Sequence, residues 1–276
     1  MTTTVFSDTV SLDPRANVPV RKPGFGATLR AEWIKFWTVR STMWSTVMLF
    51  VLGAGLTVLI CATNAEWLAS GEADEHPGSF ITFGMTFAQI TAIVLGTLAV
   101  TSEYGTGMIR ATLAATPRRG VVLAAKALVL TGSLFVAGTV TAFAGWFGGN
   151  WFFENEGIGL ALSDDGVLRS MVGSGLYMAG LGLLAAGVGL LVRHTAAALS
   201  IVLALVFVVG NMVFLLPGAW GEWAGKLMPG NAGSAVATPV SFNPDALGPW
   251  VGFAVFAGEV AVVLLVGYLT FRRRDA

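Results

Sequence analysis

The amino-acid sequence predicts an all-α integral membrane protein with six transmembrane helices. Three observations carry this. The 276 residues are 55% apolar and 12% charged, with a mean hydropathy of +0.74, whereas soluble domains run at about 25% charged. Apolar runs long enough to cross a hydrocarbon core of about 30 Å recur at 42–63, 79–102, 121–146, 168–191, 195–216 and 249–271. The charges between those runs also segregate by sign. Of 16 basic residues, all but Arg169 and Lys226 fall on one side, in the tails, in alternate connections or, for Lys126, just inside the adjoining run. Glu66, Glu72, Asp74, Glu75, Glu154, Glu156, Asp164, Asp165, Glu222 and Asp245 fall in the other set. The base-rich side reads as cytoplasmic, which places both termini there and requires an even number of spans.

Residues 1–25 hold Pro14, Pro19 and Pro23, scattered charges and no long apolar run. They read as a disordered cytoplasmic tail rather than a signal peptide. Over 26–41, helical spacing places Leu29, Trp33, Phe36, Trp37 and Arg40 on one side, with Glu32 and Lys35 elsewhere. A Trp-rich face beside basic residues predicts a helix lying in the membrane interface, anchored by Trp33, Phe36 and Trp37. The alternative is a plain cytoplasmic extension of span 1. Residues 42–276 then form one six-span domain. Spans 4 and 5 are joined by Val192-Arg-His-Thr195, a turn so tight that the two helices must be antiparallel neighbours.

The polar, basic stretch 101–120 between spans 2 and 3 is too long for a turn and too patterned for a slack linker. It reads as a docking element for a soluble partner. Gly105 and Gly107 permit a sharp exit from span 2. Thr106 can cap a short helix reaching about Ala115, and Thr116-Pro117 ends it. Tyr104, Met108, Ala111 and Ala115 would share a side, with Ile109 and Leu113 beside them and Arg110, Arg118 and Arg119 at the rim. Glu103 could pair with a base across the bend or sit behind the helix N-terminus. The alternative is a loop whose arginines contact lipid phosphates.

The outer segment 217–248 is not acidic. It carries Trp220, Trp223 and Leu227 and is broken at Pro229, Pro239 and Pro244. Two half-helices dipping back into the outer leaflet fit it, and such backbone must be buried in protein or line a cavity. A surface loop with amphipathic turns is the alternative. Residues near Trp220, Trp223 and Leu227 are expected to be shielded.

Glu103-Tyr-Gly-Thr-Gly-Met-Ile-Arg110, followed by Leu113, Pro117-Arg-Arg119 and Lys126, resembles the signature of permease subunits of type 2 ABC exporters, in the bacterial ABC transporter permease family. Glu32-Trp-Ile-Lys-Phe-Trp-Thr-Val-Arg-Ser-Thr42 and Leu227-Met-Pro-Gly-Asn-Ala-Gly233 are similar to the start and the outer hairpin of such chains. The resemblance covers the chain beyond residue 25. It implies six spans per subunit, a homodimer or paired permease, and ATPase subunits docked below. It also implies that the stretch after span 2 is a coupling helix, formed here by Glu103, Tyr104, Gly105, Thr106, Met108, Arg110, Leu113, Arg118 and Arg119, and that the outer hairpins form a lid, with Trp220, Trp223 and Leu227 as the lid candidates.

The residues exclude other classes on their own terms. The sole Gly-Lys pair, Gly225-Lys226, is followed by Leu227, and Trp220 stands where a phosphate loop needs its first glycine. ATP and Mg are therefore expected in a separate ATPase chain, with no cofactor or metal bound by this one. His76 and His194 lie on opposite sides, and Cys61 is the lone cysteine. Net charge is zero, which implies no nucleic-acid partner. The expected function is efflux of an amphipathic or lipophilic cargo across the plasma membrane, in contact with membrane lipid. Gln89 and Glu259, both near mid-depth, are the pathway candidates, and Glu259 could bond Gln89 or a backbone carbonyl. The alternatives are a membrane sensor or scaffold that docks a cytoplasmic protein, and an ion-coupled secondary transporter titrating Glu259.

Overall fold

A computed structural model describes residues 24–243 and 245–273. Residues 1–23, 244 and 274–276 lie outside the described residues. The chain forms α1 (Phe25–Thr38), α2 (Arg40–Ala69), α3 (Met85–Gly105), α4 (Met108–Ala115) and α5 (Arg119–Asn155). It continues as α6 (Val167–Val192), α7 (Thr195–Met212), α8 (Ala219–Lys226), α9 (Pro229–Ser234) and α10 (Pro249–Arg273). Among the described residues, α2, α3, α5, α6, α7 and α10 are long and apolar enough to cross a membrane. This is the architecture of a multi-pass membrane protein.

Helix α6 is the axis. It packs on α3, α5, α7 and α10 and buries most of its apolar length. Small residues allow this closeness, as expected where helices associate by van der Waals fit rather than by the hydrophobic effect. A Cβ built on Gly96 of α3 would stand 2.1 Å from the Gly182 carbonyl oxygen of α6, so the two backbones touch there. The α6–α7 connection is the expected tight turn. Arg193 takes the left-handed conformation at φ 57°, and His194 Nδ1 accepts the Ala197 N–H at 3.3 Å.

Several boundaries differ from the hydropathy reading. Span 2 begins at Met85 rather than 79. The Gly84 N–H donates to Thr57 Oγ1 at 3.1 Å, and Ser79 Oγ donates to the Val240 carbonyl at 3.1 Å. These bonds hold the preceding residues in short turns. Span 1 starts at Arg40 and runs on to Ala69, and span 5 gives way at Met212 to a short 3-10 turn. Span 3 continues past Trp146 to Asn155. Its 37 residues measure about 55 Å at 1.5 Å each, so it stands well clear of an apolar layer about 30 Å thick. The extension survives because the loop after it folds back: Asn150 Oδ1 accepts the Leu160 N–H at 2.7 Å, and Trp146 Nε1 donates to the Leu160 carbonyl at 3.2 Å.

Candidate functional site

Four charged side chains gather at the base-rich end. Helix α1 turns Thr28 and Glu32 inward and leaves Trp33 and Trp37 exposed, with Phe36 half-buried between. Lys126 Nζ, on α5, lies 2.7 Å from Glu32 Oε2 and 2.6 Å from Glu103 Oε1. Lys35 Nζ lies 3.2 Å from Glu32 Oε1 and also bonds Glu103 Oε1. Two carboxylates and two ammonium groups cancel, which is the condition under which buried charge is tolerated. Burial pulls the Lys35 ammonium down, but Glu103 and then Glu32 outweigh it and hold Lys35 above its ordinary value. A cavity of about 270 Å³ adjoins the cluster, with Lys35, Glu103 and Lys126 at its polar end and Phe36, Leu95 and Leu130 along its walls. The cluster ties α1, α3 and α5 together where the chain leaves span 2. Glu103 does meet a base across the bend, but the bases are Lys35 and Lys126 rather than the arginines of the connection.

Helix α4 follows at once. Thr106 does not cap it, contrary to expectation: Thr106 Oγ1 donates back to the Ser102 carbonyl at 2.8 Å. Gly107, left-handed at φ 72°, occupies the cap position instead and turns the chain out of α3. Ile109 is buried and Leu113 packs on the core, while Met108, Arg110, Ala111 and Ala115 are exposed. The expected common face therefore divides. Tyr104 remains half-buried, with the Arg193 guanidinium 5.0 Å from its ring centre. Of the rim arginines, Arg110 and Arg118 are exposed. Arg119 turns inward instead: its Nη1 donates to the Phe271 carbonyl at 2.6 Å, fixing the start of span 3 to the end of span 6.

At the base-poor end, the segment 217–248 divides into two unlike halves that the sequence reading did not distinguish. Helix α8, which carries the lid candidates, is the exposed half: Trp220 is 86%, Trp223 58% and Leu227 42% accessible. Helix α9 is buried, with Pro229, Gly230, Ala232 and Gly233 inside, packed against α10 and α6. The proline starts the helix, and the small residues let it sit this deep. Its exit is latched by Arg169, whose guanidinium donates to the carbonyls of Ala235 and Val236, each at 3.2 Å, and of Pro239 at 3.1 Å. Arg169 was one of two bases on the acidic side, and that misplacement was the signal that it had a local task.

The two pathway candidates are not brought together. Gln89 Oε1 accepts the Tyr177 hydroxyl at 2.6 Å, and that hydroxyl lies 3.3 Å from the Gly230 carbonyl. Gln89 thus faces α6 and α9. Glu259 is half-buried, and its Oε2 has no hydrogen-bond partner among the described residues. Tyr177, Lys35 and Lys126 escaped the sequence reading as site members, since each sits singly in an apolar or interfacial run and acquires its partner from another helix. No protein-family model matches the chain, and no curated protein matches it.

Proposed function

We propose that this chain is the permease subunit of an ATP-driven exporter of the type 2 ABC class, working with a separate ATPase. The observation that carries the proposal is α4. It is a separate short helix between two spans, set off by a left-handed glycine, with Ile109 and Leu113 holding it to the bundle and Met108, Arg110, Ala111 and Ala115 presented outward. An eight-residue helix is marginal alone, and a groove on a partner would hold it. In this reading α4 is the coupling helix, the base-rich end is cytoplasmic, α1 lies in the interface with Trp33 and Trp37 toward lipid, and α8 and α9 form the re-entrant outer hairpin. Force delivered to α4 would reach three elements. Glu103 connects its start to α1 and α5, and Arg119 connects its end to α10.

The test is co-purification with an ATPase encoded beside this chain, using Met108→Cys in a Cys61→Ser background. Cross-linking of that cysteine to the ATPase, together with ATP-dependent cargo movement in proteoliposomes, is the expected result. A complex that forms without contact at α4, or an ATPase that never binds, overturns the assignment.

A further inference from the structure

The base-poor half of the bundle contains two adjoining cavities, of about 160 and 380 Å³, which share Thr82, Thr86, Asn211, Asn231, Ser234 and Thr238 in their walls. The deeper one ends at the Gln89–Tyr177 pair beneath α9. The shallower one opens past Phe83 and Phe242, whose rings meet edge to face at 6.0 Å. The chemistry of this lining is unusual for the interior of an apolar bundle. Hydroxyls and amides interleave with apolar side chains such as Met85 and Phe207, and no carboxylate lies among the described lining residues. Lys226 is the cation there, confined to the shallower cavity and held 5.5 Å from the Trp223 ring.

Hydrogen-bonding capacity in this space exceeds what the protein uses. Thr82 is 3% accessible and lines both cavities, yet its Oγ1 has no partner among the described residues. Asn231 and Asn211 spend their amide nitrogens on backbone carbonyls, Asn231 on Gly210 and Gly225 and Asn211 on Phe207. A buried hydroxyl without a partner is costly, and a cavity lined by donors and acceptors is complemented by a group offering both.

We propose that these joined cavities bind an uncharged, polyhydroxylated head group, of the glycosyl type, carried on an amphiphile. Hydroxyls donate and accept alike, which suits Thr82, Gln89, Asn211 and Asn231 together. A charged head group would reach the deep cavity without a counter-ion, since Lys226 lies only at the outer one, and burial of an unpaired charge is strongly opposed. The rings of Phe83 and Phe242 offer flat apolar walls to the C–H faces of a sugar. The alkyl part would lie along Phe83, Phe242 and Leu247 at the shallower cavity. The site lies at the opposite end from α4 and does not depend on the exporter reading.

The experiment uses Thr86→Cys in a Cys61→Ser background, reconstituted in nanodiscs and labelled with a membrane-impermeant maleimide. Octyl glucoside and octylphosphocholine, both below their micellar concentrations, serve as probes with the same tail. Octyl glucoside should slow labelling, and octylphosphocholine should not. Adding Thr82→Val, which removes a hydroxyl bonded to nothing in the protein, should weaken protection by about fivefold, the equivalent of one net hydrogen bond, while labelling without probe stays unchanged. Equal protection by both amphiphiles, no protection by either, or full protection in the Thr82→Val variant each overturns the proposal. Because no ATPase is present, failure here says nothing against the exporter reading, and failure of docking at α4 says nothing against this site.

Discussion

The two ends of the bundle solve the same problem with different chemistry. Each must hold irregular backbone against a packed helical core. At the base-rich end the solution is charge: Glu32, Lys35, Glu103 and Lys126 close on one another and leave little slack. At the other end the solution is mostly neutral: Tyr177 on Gln89, Arg169 on three carbonyls, and a set of hydroxyls and amides with capacity to spare. Ion pairs in a dry setting have steep geometric requirements, so the first end is suited to transmitting position. Neutral hydrogen bonds exchange at low cost, so the second is suited to receiving a molecule.

The comparison is broken most severely at the charge cluster. Glu103→Leu or Lys126→Met should each destabilise by about 3–5 kcal/mol, the usual result of leaving a buried charge uncompensated. The double variant should recover much of that loss, because Glu32 and Lys35 remain paired. Thermal unfolding in detergent checks this, and a neutral single variant would show that the cluster is solvated. Arg169→Met comes next, with an expected loss of about 1.5–3 kcal/mol, as for hydrogen bonds to a charged group. It should be local, read as faster modification of a cysteine introduced at Val236.

A smaller effect follows from pH. The folded Lys35 lies above its ordinary 10.5, so its stabilising contribution is complete below that value. It fades as pH rises through the raised one. Unfolding scans from about pH 9 to about pH 12 should show an alkaline loss above 10.5 that is smaller in Lys35→Arg than in the parent, since arginine stays protonated over that range. The smallest effect on stability belongs to Arg110→Glu, which changes an exposed side chain and should stay within about 0.5 kcal/mol. Its effect should instead appear in function, as loss of ATPase binding and transport at normal abundance. Wild-type transport in that variant would remove α4 from the coupling role.

The long elements were legible because hydropathy and charge each report on them independently. Six runs, one tight turn at Arg193 and a separate helix after span 2 all follow from composition and spacing. Boundaries were less legible where a side chain from afar decides them. Nothing near residue 79 announces that Thr57 will hold Gly84 or that Val240 will receive Ser79. The same holds for the outer hairpin. Its Trp residues suggested burial, but α9 is the buried half, where Gly230, Ala232 and Gly233 let it sit against α10 and α6, while Trp220 and Trp223 of α8 stay exposed. Pairings between helices, such as Lys126 with Glu32 or Tyr177 with Gln89, depend on which spans are neighbours, and depth along a span does not say that. The same gap separated Glu259 from Gln89.

The surplus length of α5 bears on where the protein can reside. Phe147 and Trp151 are exposed on the stretch beyond the expected span, four residues and about 6 Å apart along the axis. Lipid can therefore meet the helix at either level, with an aromatic ring at the boundary in both cases. Mismatch between protein and bilayer costs a fraction of a kcal/mol per Å, and a helix with two acceptable waterlines loses little when the membrane thickens or thins.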